Sequence, residues 1–237
     1  SSRKEFERFK ADVERILHHD MRSPLNSIIG FPRLMLDDGN LTLAQRSYLE
    51  HVITSGERML DMLNLSLNLY RIEQGKLVVT PEPVNLRDLI SQVLRDTREQ
   101  AEKAGTALLT RYQGFDRADP DHIPVIGSAG LGTSVLLNVL KNAIEASEAG
   151  DVVRIHVQKP DEQSELIVRI SNRKSVPPDV RDLFFEKYST SGKEQGTGIG
   201  TYAAKLFCDV MDWEIEMDTS DESGTTITVT MPAADSD

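Results

Sequence analysis

A single cysteine, Cys208, in 237 residues excludes an internal disulfide and fits a reducing compartment. No apolar run approaches the roughly 20 residues that a membrane-spanning helix needs, and no secretory leader is present, so no membrane segment is expected in this chain. Internal repeats and low-complexity tracts are missing as well. Basic residues are in the minority: 27 Lys and Arg stand against 38 Asp and Glu, and the net charge of -11 repels phosphate backbones, so nucleic acid is not an expected partner. One cysteine and scattered histidines offer no zinc-site spacing. What is there is a globular composition, 39% hydrophobic and 27% charged, on a chain longer than one typical domain of about 100 to 150 residues. Two cores are expected. Ser1-Ser2 leads straight into a helical pattern, which reads as the middle of a longer protein.

From about Lys4 to Asp38 the apolar residues Phe6, Phe9, Val13, Ile16, Leu17, Met21, Leu25, Ile28 and Leu34 recur mostly at three and four, the period of a helix. Asp37-Asp38-Gly39-Asn40 ends that pattern with turn residues. Thr42 is the expected cap of a second helix, carried by Tyr48, Leu49, Val52, Ile53, Met59, Leu60, Leu63 and Leu67 to about Glu73 and stopped by Gly75. Two long helices joined by a short turn make an antiparallel hairpin, but a lone hairpin cannot enclose its own apolar stripes. Two copies forming a four-helix bundle are the economical solution.

Beyond Gly75 the texture changes. Lys76 to Thr80 reads as a short strand, Pro81-Glu82-Pro83 as a break, and Asn85 as the cap of a helix running toward Ala104-Gly105. Further strands are expected at Ala107 to Tyr112, Val152 to Gln158, Glu165 to Ser171, Glu214 to Asp218 and Thr225 to Thr230. Helices are expected from about Ser128 to Ala149 and from about Ile199 to Met211. This mixture predicts one sheet covered by helices.

Two places carry chemistry. The first is His18-His19-Asp20-Met21-Arg22-Ser23-Pro24-Leu25. A neutral imidazole is nucleophilic at one ring nitrogen, and a carboxylate that accepts the other ring N–H fixes the tautomer and stabilises the positive charge that develops. Of the two histidines only His19 has an acidic residue directly after it, so His19 with Asp20 is the candidate and His18 reads as surface. A His-Asp pair standing alone would be two solvated helix residues. Pro24 removes a helical hydrogen bond and is expected to kink the helix just past the histidine. His51, His122 and His156 lack a comparable setting.

The second place begins with the segment Val135 to Ala143, where Asn138 and Asn142 fall four apart and share one helix face. Asparagine competes for backbone hydrogen bonds inside helices, so a pair on an apolar helix invites more than a reading as polar surface. Their side-chain carbonyls can ligate Mg²⁺. Gly196-Thr197-Gly198-Ile199-Gly200 precedes the helix carrying Tyr202 and Leu206; glycines let amides approach an anion, and the helix N-terminus adds partial positive charge. In isolation this glycine pattern says little. Here it follows Leu183-Phe184-Phe185-Glu186-Lys187-Tyr188 and precedes Gly224-Thr225-Thr226.

In this order the blocks resemble those of a sensor histidine kinase of a two-component system. The His19 segment is similar to that family's phosphoacceptor block, His-Glu/Asp-x-x-Thr/Asn-Pro, and Asn138 to Ala143 to its Asn-Leu-x-x-Asn-Ala block. The resemblance implies an α-helical hairpin that dimerises as a four-helix bundle, residues 1–75, for dimerisation and histidine phosphotransfer. An α/β sandwich follows over residues 76–237, the ATP-binding domain that histidine kinases share with gyrases and the Hsp90 chaperones. It implies ATP and Mg²⁺ as cofactors, Asn142 as the magnesium ligand and Lys141 as a neutraliser of phosphate. Asn138, Gly196, Thr197, Gly198, Gly200 and Thr226 become nucleotide contacts, with a lid from Arg173 to Gln195 that supplies Lys193. The implied reaction is ATP-dependent autophosphorylation of His19 in a homodimer, then transfer to an aspartate of a response-regulator receiver domain. A cytoplasmic location follows, either alone or as the cytoplasmic part of a longer membrane-anchored sensor. Ser23 stands where the family commonly has Thr or Asn, a position associated with orienting water to dephosphorylate the partner, and a serine hydroxyl donates and accepts in the same way.

One block departs from the family. Its usual Asp-x-Gly-x-Gly-Ile-Pro is here Ser171-Asn172-Arg173-Lys174-Ser175-Val176-Pro177-Pro178: Asn172 replaces the aspartate, both glycines are missing, and the segment is one residue short. An asparagine carbonyl still accepts from adenine's amino group but without the charge-assisted bond, a loss of about 1 to 2 kcal/mol. The alternative expectation is therefore a nucleotide-impaired kinase that acts as scaffold or phosphatase. An ATPase of the gyrase or chaperone type would place a glutamate one helical turn before the magnesium asparagine; Asn138 stands there, so hydrolysis is not expected as the main activity.

Overall fold

The computed structural model describes residues 20–73, 79–115, 122–160, 165–187, 189 and 198–234. The chain divides into two compact units, Ser1–Val78 and Val79–Asp237.

In the first unit α1 (Arg22–Leu36) and α2 (Leu43–Glu73) form the expected hairpin. Thr42 caps α2 as its sequence position requires: its Oγ1 accepts from the Gln45 amide at 3.2 Å while Gln45 Oε1 accepts from the Thr42 amide at 2.9 Å. Arg22 Nη2 donates to Asn64 Oδ1 at 2.7 Å, Arg33 pairs with Glu57, and Arg46 Nη2 donates to the Leu36 carbonyl at 3.1 Å, so the two helices run antiparallel. Gly56 brings them close, since a β-carbon there would stand 2.7 Å from Ile29 Cγ1. The buried stripe of α1 is Leu25, Ile29 and Pro32, whereas Ile28 and Leu34 are 47% and 66% exposed, because one neighbouring helix covers only one side of α1. Pro24 is the third residue of α1, just after a turn at Met21, and a second proline, Pro32, lies inside the helix. Lys4 to His19, with both histidines, and Gly75 lie outside the described residues.

The second unit is an α/β sandwich. Its elements in chain order are β1 (Glu82–Asn85), α3 (Leu86–Ala104), β2 (Ala107–Gln113), β3 (Pro124–Gly127), α4 (Ala129–Ala146), β4 (Val152–Gln158), β5 (Glu165–Asn172), α5 (Pro178–Arg181), α6 (Gly200–Val210), β6 (Glu214–Ser220) and β7 (Gly224–Pro232). Asn85 caps α3 and also reaches across to β3: its Oδ1 accepts from the amides of Arg87 at 3.3 Å and Ile123 at 3.0 Å. Gly105 ends α3 in the left-handed conformation, φ 67.

Five strands make the main sheet in the order β2-β4-β5-β7-β6, with β2 and β4 parallel and the other pairs antiparallel. Alternate residues of β5, Leu166, Val168, Ile170 and Asn172, are buried and mark the face that the helices cover. On that face Ile90 and Val93 of α3 and Leu136 and Leu140 of α4 meet Ile155, Val168 and Ile170. Ala203, Ala204, Phe207 and Cys208 of α6 complete the layer. Trp213, 2% exposed, wedges between α4 and β3, with its Nε1 donating to the Ile126 carbonyl at 2.8 Å.

Four expectations need correction here. The strand expected at Lys76 to Thr80 is not found in its described part, Val79 and Thr80, and Lys76 to Val78 lie outside the described residues. Pro81-Glu82-Pro83 is not a break: Glu82–Asn85 is β1, paired antiparallel with the unexpected β3 in a second, two-stranded sheet, with Pro83 opposite Ile126. A two-stranded ribbon leaves every strand an outer edge, and that is where a proline is tolerated. The short helix α5 was not expected either. Last, β5 continues one residue past Ser171, which places Asn172 inside the strand opposite Thr225. Among the described residues, no helix is long and apolar enough to cross a membrane.

Candidate functional site

The described part of the histidine segment is open. Asp20, Arg22, Ser23 and Pro24 are all exposed, with Ser23 at the start of α1, where its carbonyl accepts from Ser27 Oγ at 3.4 Å. His19 itself lies outside the described residues.

In the second unit the site is built on two helices and the end of two strands. Helix α4 sinks Val135, Leu136, Val139 and Leu140 into the core, which leaves Asn138, Lys141 and Asn142 half-buried on its flank. Helix α6 starts at Gly200, and the side chain of its N-cap residue, Ile199, makes no capping hydrogen bond. The two helices meet there: a β-carbon on Gly200 would lie 3.5 Å from Asn138 Oδ1. Gly198, two residues before, adopts φ 63, a conformation that side chains other than glycine's rarely allow. Lys187 Nζ stands 4.9 Å from the centroid of the Tyr202 ring, so the segment around Phe184 and Phe185 is tied to α6 by a cation–π contact. Lys193, Gly196 and Thr197 lie outside the described residues.

The strand ends hold Asn172. It is 7% exposed, and its Nδ2 donates to the Lys174 carbonyl at 3.0 Å. The same carbonyl accepts from Thr225 Oγ1 at 2.8 Å. Among the described residues no donor bonds to Asn172 Oδ1, so the acceptor end of the amide remains available. Gly224 makes this corner possible: a β-carbon there would stand 2.2 Å from the Asn172 carbonyl oxygen and 2.6 Å from that of Arg173. Thr226 is not with Asn172. Its hydroxyl bonds Ser171 Oγ at 2.9 Å on the opposite face of the sheet, whereas Thr225 stands on the helix-covered face. The alternation of Thr225, Ile227, Val229 and Met231 as buried residues is the signal that would have selected Thr225 from the sequence.

Among the described residues, no group of three or more His, Cys, Asp or Glu could hold a metal. On the half-buried flank of α4 the amide carbonyls of Asn138 and Asn142 are hard oxygens of the kind that suits Mg²⁺, which keeps most of its shell for water and phosphate.

Two family models match the chain: "His Kinase A (phospho-acceptor) domain" over residues 10–75, and "Histidine kinase-, DNA gyrase B-, and HSP90-like ATPase" over residues 129–235. The chain is 30% identical over 240 residues to the non-motile and phage-resistance protein of Caulobacter vibrioides, covering 96% of this chain and 28% of that one. It is 30% identical over 228 residues to the sensor histidine kinase GacS of Pseudomonas protegens, covering 93% and 24%. The chain thus spans about a quarter of the length of these two relatives. In fold it is similar to full-length ShkA, solved in complex with AMPPNP, with a TM-score of 0.70 at 22% identity over 97% of this chain and 46% of that one.

Proposed function

For this chain, which belongs to the sensor histidine kinases of two-component systems, we propose ATP-dependent phosphorylation of His19 and transfer of the phosphoryl group to an aspartate of a response-regulator receiver domain. The carrying observation is the approach of Gly200 to Asn138, which joins the N-terminus of α6 to an asparagine-bearing helix flank in one place. The partial positive charge at the start of α6 attracts the nucleotide's phosphates, and Gly198 and Gly200 keep that approach free of side chains. Lys141 adds positive charge on the same flank of α4. Asn142, with Asn138 beside it, would hold Mg²⁺, which when bound supplies charge neutralisation across the phosphate oxygens. Asn172 Oδ1 accepts from the amino group of adenine.

At the phosphoacceptor, Asp20 accepts one ring N–H of His19 and leaves the other nitrogen as the nucleophile. The new N–P bond forms as the bond from the γ-phosphorus to the bridging oxygen breaks, and that electron pair leaves on ADP. Phosphoryl transfer of this kind is governed mostly by alignment and charge neutralisation. In the second step the aspartate of the receiver domain attacks the same phosphorus and releases the imidazole. Exposure of Asp20, Ser23 and Pro24 suits a site that two different domains must visit in turn. Ser23 is the residue we assign to orienting water if the chain also dephosphorylates its partner.

The working unit is a homodimer. Phe31, Leu34 and Tyr48 are 66%, 66% and 70% exposed on the hairpin, more apolar surface than a helix pair leaves in water without a use, and a second hairpin would cover it. The reducing compartment that suits Cys208 and the need for ATP both favour the cytoplasm. The buried, acceptor-ready Asn172 supports a nucleotide-competent site over the nucleotide-impaired alternative. Incubation with γ-labelled ATP and Mg²⁺ tests this reading. An acid-labile, base-stable label on the protein is expected; label that survives acid, or none, would overturn it.

A further inference from the structure

An asparagine at a purine contact has a problem that an aspartate does not. Its two ends are alike in shape and opposite in hydrogen bonding, so its surroundings must decide whether it offers an acceptor or a donor. Around Asn172 that decision can be traced proton by proton. Thr225 spends its hydroxyl hydrogen on the Lys174 carbonyl, 2.8 Å away, so in the 2.9 Å contact between Thr225 and Thr219 it is Thr219 that donates. Thr219 Oγ1 in turn accepts from the Val176 amide at 2.9 Å. The Lys174 oxygen is thereby fixed as an acceptor beside Asn172, and only Nδ2 can face it, as it does at 3.0 Å.

The backbone that presents this carbonyl, residues 173–177, runs outside the strand ladder and contains no glycine. Side chains from elsewhere hold it. Asp221, in the turn between β6 and β7, accepts from Ser175 Oγ at 2.7 Å and from Arg181 Nη2 at 3.2 Å, and Arg181 Nε donates to the Val176 carbonyl at 2.7 Å. The Arg181–Asp221 pair sits at the rim, with side chains 30% and 84% exposed, where an ion pair contributes little to stability. Its contribution is positional.

We infer that Asp221, acting through Ser175 and Arg181, is a positioning residue that holds the Lys174 carbonyl against Asn172 Nδ2, and so fixes the amide with its oxygen toward the base and selects adenine over 6-oxopurines. This rests on the nucleotide reading given above. A flip of Asn172, which a guanine or hypoxanthine would require, sets Oδ1 against the Lys174 oxygen, two acceptors facing each other.

The test uses the full chain and non-hydrolysable analogues of ATP, ITP and GTP in calorimetric titrations, with a thermal melt of each variant. ATP is expected to bind about tenfold more tightly than ITP, the value of one neutral hydrogen bond. Asp221→Ala should cut that preference to below about threefold while leaving the melt nearly unchanged. In the nucleotide-free protein the same substitution should speed solvent exchange of the Asn172 side-chain NH₂ measured by NMR. If Asn172→Ala abolishes the preference but Asp221→Ala keeps it, the base contact stands and the positioning role is overturned. If Asn172→Ala leaves ATP affinity and preference alone, the base contact itself fails. Unchanged NH₂ exchange in Asp221→Ala overturns the positioning role whether or not nucleotide binds.

Discussion

Gly200 faces Asn138: the first residue of α6 leaves only 3.5 Å between the place of its absent β-carbon and the amide oxygen on α4. A single methyl fits there in ordinary contact, but branched side chains do not. Gly200→Val is expected to displace the Asn138 amide and cover the α6 N-terminus, weakening binding of an ATP analogue at least tenfold, about 1.4 kcal/mol. Gly200→Ala should lose far less. Titration calorimetry on both, with melting curves to confirm folding, checks this; equal affinities in the two variants would mean that nucleotide phosphates do not approach here.

Gly132 and Gly127 both lie against Trp213. A β-carbon on Gly132 would stand 2.9 Å from Trp213 Cη2 and 3.0 Å from Leu89 Cδ1, and one on Gly127 2.6 Å from Trp213 Cζ2. Neither the indole ring nor its 2.8 Å bond to the Ile126 carbonyl can yield cheaply. Gly132→Ala and Gly127→Ala should each cost about 1 to 3 kcal/mol, the usual range for overpacking. Trp213, the single tryptophan, reports the unfolding transition by fluorescence in denaturant.

The legible parts of this fold are those decided within a few residues. Thr42 with Gln45, Asn85 before α3 and Gly105 after it are local side-chain and backbone chemistry, and each stands where its residue type predicts. What was hidden depends on partners far along the chain. Pro83 belongs to a strand because β3 pairs with it, and nothing near Pro83 announces that. Thr225, not Thr226, shares a face with Asn172 because of the β5–β7 register, which a strand end alone does not reveal. Asp221 reaches Ser175 across 46 positions. The apolar spacing of α1 does not separate Ile28 from Ile29, since both fit a helical period; the crossing at Gly56 puts Ile29 inside and leaves Ile28 47% exposed.

The exposed apolar side of α1 offers a test of the proposed dimer. Phe31→Asp with Leu34→Asp puts charge on a surface that only a second copy would cover, where each side chain contributes about 1.5 to 3 kcal/mol when buried. Light scattering should report twice the chain mass for the unaltered protein and the monomer mass for the double variant. A monomer in both cases would mean that the hairpin does not pair.

Cys208 on α6 provides a probe of opening. Burial, with a smaller contribution from Asp209 against Lys205, pushes its thiol from the ordinary 9.0 up to about 12. The native thiol should therefore resist a thiol reagent at pH 8 and react only as fast as the domain opens. The folded state holds the proton more tightly than the unfolded chain does, so this group's contribution to stability is complete below about pH 8 and declines as pH rises from 9 toward 12. Denaturant midpoints over that range should fall more steeply in the unaltered protein than in Cys208→Ala; parallel curves would contradict the shift.

The central claim is that His19 receives the phosphoryl group, and the most direct measurement is label incorporation from γ-labelled ATP into three proteins side by side: the unaltered chain, His18→Gln and His19→Gln. Acid-labile label is predicted in the first two and none in the third. Label that persists in His19→Gln, or disappears in His18→Gln alone, would contradict the account.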